Sequence, residues 1–216
     1  MQDKSVGILG SGQVAQALAK GFVSIGYKVK MGSRSPEKLE EWTRKSATGV
    51  RTGSFSEAAS FGGDIIVLAV LGEGVENALD LSGAANFSGK VVIDATNPLD
   101  FSRGMPPGIL PRFRETSIGE TVQKKLPESK VVKCFNSVPN VAMFQPKFPH
   151  PEMFICGNDK PTKEKVTNNV LRQFGWAGTI DFGGIENSKW LELMVPAWVI
   201  AAGATGSWYS MFKLER

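Results

Sequence analysis

The segment "VGILGSGQVAQALAKGF" (residues 6–22) sets Gly10, Gly12 and Ala15 between a short apolar run and a stretch with apolar residues at helical spacing. Strand, G-x-G-x-x-A, helix is the pattern that most narrows the fold, because the chain must turn tightly and pack a helix straight back onto the strand. Gly10 permits the turn. Gly12 lets a diphosphate approach the backbone, and Ala15 keeps the helix close to the sheet. The free N–H groups and the dipole at such a helix start attract an anion.

The rest of the chain repeats this alternation. Strands are expected at 5–9, 28–31, 64–70, 90–96 and 130–135, with helices at 14–25, after Pro36, at 74–81 and near 117–125. Ser54 and Glu57 in "SFSE" have capping-box spacing for one more helix. A Pro- and Gly-rich loop spans 97–111. Residues 152–157, 161–174 and 178–183 add a further strand, helix and strand, and a final helical region from Ser188 carries Trp190, Trp198 and Trp208. Apolar strands alternating with amphipathic helices imply an α/β fold, a Rossmann-type doubly wound, mainly parallel sheet with a short C-terminal helical region. One sheet and one domain over residues 1–216 are expected, with the helical segment starting at about 186.

Composition excludes several classes. The 216 residues are 42% hydrophobic and 21% charged, as in an ordinary α/β protein. No apolar run reaches the roughly 18 residues that span a bilayer, and 193–204 is interrupted by Pro196 and Gly203. The N-terminus has no signal-peptide pattern, so a cytoplasmic protein is expected. Cys134 and Cys156 are too few and too isolated for a disulfide framework or a zinc site and read as buried thiols. His150, the only histidine, lies in a proline-flanked loop and reads as a surface residue. The net charge of +4 is scattered, which suits anionic small molecules, and no nucleic-acid motif is present.

"VKMGSRSPEKLEEW" (29–42) decides the cofactor. In dinucleotide-binding domains an acidic residue at the end of the second strand holds the adenosine ribose. No Asp or Glu occurs from Tyr27 to Pro36 here. Arg34 instead offers a planar fork of donors suited to a 2′-phosphate, Ser33 adds a hydroxyl, and Lys38 a point charge one helical turn on. The expected cofactor is NADP(H).

With "GSRSPEKL", "DIIVLAV", "KVVIDATNPL" and "LPESKVVKCFNSV" added to the glycine turn, the chain resembles the deazaflavin-dependent NADP oxidoreductases (coenzyme F420:NADP reductases) over nearly its whole length. It is also similar to the cytosolic reductase domain of the six-transmembrane metalloreductases. The resemblance implies that Ser11, Gly12, Gln13 and Val14 wrap the diphosphate behind Gly10, and that Ser33, Arg34 and Lys38 hold the 2′-phosphate. Val70 and Leu71 would lie along the cofactor, with Asn97, Asn136, Pro139 and Asn140 around the nicotinamide. The metalloreductases continue into a haem-carrying membrane domain, whereas this sequence stops at Arg216, so electron transfer across a membrane is not expected of it alone.

The resemblance implies hydride transfer between the nicotinamide and a deazaflavin or flavin as second substrate, with no catalytic acid, base or metal required. No residue decides between these acceptors. Two alternatives stand beside this reading: a flavin or ferric-chelate reductase lacking a membrane domain, and a non-enzymatic NADPH-binding regulator. An imine or 2-hydroxyacid reductase would need a helical domain after the sheet, and only residues 185–216 follow "GTIDFGG". The acceptor pocket is expected between the loops at Leu71, Asn97 and Asn136, closed by residues 185–198. Trp190, Met194 and Trp198 recur at helical spacing and read as core or dimer contacts rather than a flavin platform. Pairing of two chains through this helix is compatible with a two-fold interface.

Overall fold

The computed structural model describes residues 4–46 and 49–216. Strands β1 (Ser5–Leu9), β2 (Lys28–Gly32), β3 (Val50–Gly53), β4 (Ile65–Leu68), β5 (Val91–Asp94) and β8 (Lys130–Lys133) form one parallel sheet in the order β3-β2-β1-β4-β5-β8. The order reverses between β1 and β4, so a crevice opens at their carboxyl ends.

The central strands are apolar throughout because both faces are covered. β4 sends Ile65 and Val67 into one core and Ile66 and Leu68 into the other. The first core holds the buried side of α1 (Gln13–Ser24) and is centred on Phe174, whose ring meets those of Phe22 and Phe144 edge-on. The second holds α3 (Phe55–Phe61), α4 (Val75–Ser82) and α5 (Ile118–Lys125). The Ser54 capping box is formed: Ser54 N donates to Glu57 Oε2 at 2.7 Å, and Glu57 N donates to Ser54 Oγ at 3.2 Å. It starts α3 where Ala58 presses on β1. A Cβ at Gly7 would lie 2.0 Å from the Ala58 carbonyl oxygen, so only glycine fits there.

Three features depart from the sequence reading. β3, "VRTG", is a four-residue edge strand with an exposed Arg51, too short and too polar to register as an apolar run. The loop at 97–111 contains a small antiparallel pair, β6 (Leu99–Asp100) and β7 (Gly108–Ile109). The expected single sheet is divided. β9 (Glu152–Ile155) and β10 (Gly178–Asp181) pair in parallel with each other and reach β8 only through the antiparallel Lys133–Cys156 bridge. Phe135, just after β8, has φ 67°, and Cys156 meets Lys133 in the antiparallel sense.

Helix α2 (Glu37–Ser46) follows Pro36, and α6 (Lys160–Val166) runs on into a π-helical turn at Thr167–Leu171. Helix α7 (Ser188–Thr205) passes through both Pro196 and Gly203 and ends at Gly206, which has φ 69°. Among the described residues, no helix is long and apolar enough to cross a membrane.

Candidate active site

The glycine turn has the geometry its sequence implies. Gly10 has φ 140°, and a Cβ there would sit 2.3 Å from the Ala69 carbonyl oxygen. At Gly12 a Cβ would meet nothing within 4 Å, so its face opens into the crevice. Gly12 caps α1 without a side-chain bond, and the first turn holds no acidic residue, which leaves N–H donors for an incoming anion. Gln16 Nε2 donates to the Ser11 carbonyl at 3.0 Å and braces the loop. Ala15 is fully buried against the sheet, whereas Ser11 and Gln13 are exposed and Val14 half-buried.

At the end of β2, Ser33 N donates to the Gly53 carbonyl at 3.0 Å, and Ser33 Oγ accepts from Ser35 N at 3.2 Å. The Arg34 and Lys38 side chains are exposed and make no hydrogen bond or ion pair with other described residues. They are free to meet an anion. Beyond β4, Val70 is half-buried and Leu71 is 79% exposed. The turn they begin abuts the β5 loop, since a Cβ on Gly72 would lie 2.2 Å from the Asn97 carbonyl oxygen.

Asn97 and Asn136 lock the β5 and β8 loops together. Asn97 Nδ2 donates to the Asn136 carbonyl at 2.8 Å, and Asn136 Nδ2 donates to Asn97 Oδ1 and to the Leu191 carbonyl, both at 3.0 Å. Those two acceptors fix the orientation of the Asn136 amide and leave its buried Oδ1 without a partner among the described residues. An unpaired buried acceptor costs about 1–3 kcal/mol unless water or a ligand meets it. The neighbouring Phe135, a bulky residue, has a left-handed backbone.

Beside this pair lies a cavity of about 320 Å³. Of the residues expected at the site it gathers Val14, Asn97, Asn136, Pro139 and Asn140 in its wall. Gly10, Ser11, Gly12 and Gln13 form the turn that leads to Val14. Ser33, Arg34, Lys38, Val70 and Leu71 lie outside the wall, at the ends of β2 and β4. Of the segment expected to close the pocket, Val195 and Trp198 reach the wall, but Ile185 and Leu191 belong to the second core and Trp190 faces outward, 57% exposed. Trp208, beyond α7, also lines the cavity. Trp198 Nε1 donates to the Ser210 carbonyl at 3.0 Å, and its ring meets Trp208 edge-on at 6.0 Å. Trp198 therefore faces the cavity instead of serving only as core. Sequence spacing missed it because α7 is apolar almost all round and shows no preferred face.

On the α5 side of the sheet lies a buried ionic cluster absent from the expected site residues. Lys133 Nζ lies 2.9 Å from Asp94 Oδ2 and 2.6 Å from Glu192 Oε1. Asp94 Oδ1 accepts from Thr96 N and Oγ1 at 2.9 and 2.6 Å, and Glu192 accepts from Ile118 N and Gly119 N at 3.1 and 3.2 Å. Burial alone would lower the Lys133 pKa, but the two carboxylates outweigh it and hold the ammonium above the usual lysine value. Burial raises the Glu192 pKa, opposed by Lys133 and by the donors at the start of α5. Asp94 and Lys133 each follow apolar strand residues in the sequence, and the structure makes them register partners.

The cysteines do not belong to this chemistry. Burial pushes the Cys134 thiol well up and the Cys156 thiol to about 12, so neither supplies a thiolate. His150 sits exposed in its loop, with φ 45°.

Known proteins resemble this chain in sequence and fold. The model of the coenzyme F420-dependent NADP oxidoreductase family matches residues 5–98, from β1 through β5 and its following loop. A candidate F420-dependent NADP reductase from Arthrobacter sp. FB24 superimposes with a TM-score of 0.90 and 32% identity, over 99% of both chains. The F420-dependent NADP reductase of Methanocaldococcus jannaschii is 29% identical over 78% of this chain and 79% of its own. Metalloreductase STEAP3 of Rattus norvegicus is 28% identical over 90% of this chain, which spans 38% of that protein's length.

Proposed function

This chain belongs to the family of coenzyme F420-dependent NADP oxidoreductases, and we propose that it passes a hydride between NADP(H) and a deazaflavin acceptor held in the cavity beside Asn97 and Asn136. It is an NADP-dependent oxidoreductase. The observation that carries the finer reading is the cavity wall, which contains no Asp, Glu, His, Lys or Arg and is closed by two tryptophans. Such a wall suits a planar ring and holds no ionisable acid or base, so the hydride passes directly between the rings and the one proton the reduced deazaflavin also takes up comes from solvent.

The residues fit the cofactor. The Gly10–Val14 turn takes the diphosphate on uncapped N–H groups, and Ser33, Arg34 and Lys38 take the 2′-phosphate. Val70 and Leu71 flank the cofactor, and Asn97, Asn136, Pro139 and Asn140 surround the nicotinamide. Bound NADPH supplies the hydride. The protein orients the two rings and excludes water, with the amides braced by their mutual hydrogen bonds and Val195, Trp198 and Trp208 facing the acceptor. Packing of α7 on α5, across residues distant in sequence, supports one domain over residues 1–216.

NADPH oxidation by the purified protein, compared across a deazaflavin, flavins, ferric chelates and quinones, tests the reading. Deazaflavin is expected to turn over fastest. Ferric chelate reduction with an inert deazaflavin would assign the chain to the metalloreductase-like alternative, and NADPH binding without turnover to a regulator. The outward side of α7, where Trp190, Leu193 and Ile200 are exposed, is assigned to pairing with a second copy. Light scattering is expected to show a dimer at micromolar concentration, and a monomer would refute the assignment.

A further inference from the structure

The ionic cluster on the α5 side of the sheet takes no part in the transfer described above, yet it carries a surplus charge. Asp94, Lys133 and Glu192 supply two carboxylates and one ammonium, with side-chain exposures of 0%, 0% and 2%. Every hydrogen bond made to Glu192 is one it accepts, from Lys133, Ile118 and Gly119, which is the environment of an ionised carboxylate. The next buried lysine on this side, Lys163, is neutralised by Asp181 at 2.7 Å. One negative charge is therefore left in a place where water screens it poorly. The members of the cluster adjoin wall residues along the chain, on the α5 side of the sheet: Ala95, which lines the cavity, follows Asp94; Val195 lies one helical turn from Glu192; and Asn136 comes three residues after Lys133.

We infer that this buried surplus charge tunes the cofactor, binding the positively charged oxidised nicotinamide in preference to the neutral reduced one and so making bound NADPH the stronger hydride donor. The inference rests on the nicotinamide occupying this cavity. Unit charges roughly 10 Å apart at an effective dielectric constant of about 20, partly offset by the dipole of α5, give an expected preference of about three- to tenfold. For a two-electron couple tenfold corresponds to about 30 mV.

Dissociation constants for NADP+ and NADPH, measured by calorimetry on the wild type, Glu192→Gln and Asp94→Asn, test it. Each substitution removes one negative charge, from a different element of the fold. In both variants the ratio Kd(NADP+)/Kd(NADPH) should rise about three- to tenfold. Mere loosening of the structure would weaken both cofactors together and leave the ratio unchanged, so an unchanged ratio in the variants overturns the inference. A wild-type preference of tenfold or more for NADPH overturns it without recourse to variants. Binding of neither cofactor by the wild type would remove the NADP(H) reading as well, which keeps the two failures apart.

Discussion

Gly12→Val should abolish NADPH binding while leaving the fold in place. Gly12 has φ −76° and ψ −179°, a conformation open to any residue, and a side chain there would meet no protein atom within 4 Å. The fold therefore accepts valine at the modest cost of a poorer N-cap, on the order of 1 kcal/mol. That lowers the melting temperature of a chain this size by about 2–4 °C. The diphosphate does not accept it. The two methyl groups would fill the space through which phosphate oxygens reach the α1 N–H groups, removing the anion site and its contacts together. Gly10→Val makes the opposite case, because φ 140° and the Ala69 carbonyl at 2.3 Å leave no room, and that variant should not fold. Thermal melts beside calorimetric titrations separate the two. Gly12→Val binding NADPH within tenfold of wild type would show that the diphosphate lies elsewhere.

Arg34→Asp should weaken NADPH binding on the order of a hundredfold and leave NADH binding no worse. The Arg34 side chain has no partner among the described residues, so its loss costs the fold nothing, and the effect appears in binding alone. The substitution removes the guanidinium fork, places a like charge against the 2′-phosphate and offers NADH a ribose acceptor. Lys38 remains, which keeps the loss finite. Because the site is exposed, the discrimination should shrink as salt is raised. Titration of both cofactors against both proteins is the measurement. A wild type that prefers NADH would refute the reading of "GSR".

What the sequence disclosed depended on burial. β1, β4, β5 and β8 are covered on both faces and stand out as apolar runs, and the capping box at Ser54 is a local device that needs no tertiary information. β3 was missed because an edge strand buries little and needs few apolar residues. The strands at 152–155 and 178–181 are legible as strands, but their pairing in a separate two-stranded sheet is not, since strand partners are chosen by tertiary packing that no periodicity reveals. At the site, the glycine turn and Arg34 followed from chemistry local to the chain. Trp198 and Trp208 did not, because Trp208 is brought to the cavity only when Gly206 ends α7 and the tail doubles back. Asp94 and Lys133 were legible as charges within apolar strands. Their partner Glu192, 59 residues beyond Lys133 along the chain, was not.

The most direct test of the account follows one hydrogen. With NADPH deuterated at the transferring C4 position and a deazaflavin as acceptor, the account predicts NADPH oxidation with one deuterium per turnover retained on the carbon of the reduced deazaflavin. No oxidation with any acceptor, or reduced deazaflavin whose new carbon-bound hydrogen comes from water, would contradict direct hydride transfer in the cavity between the glycine turn, the paired asparagines and α7.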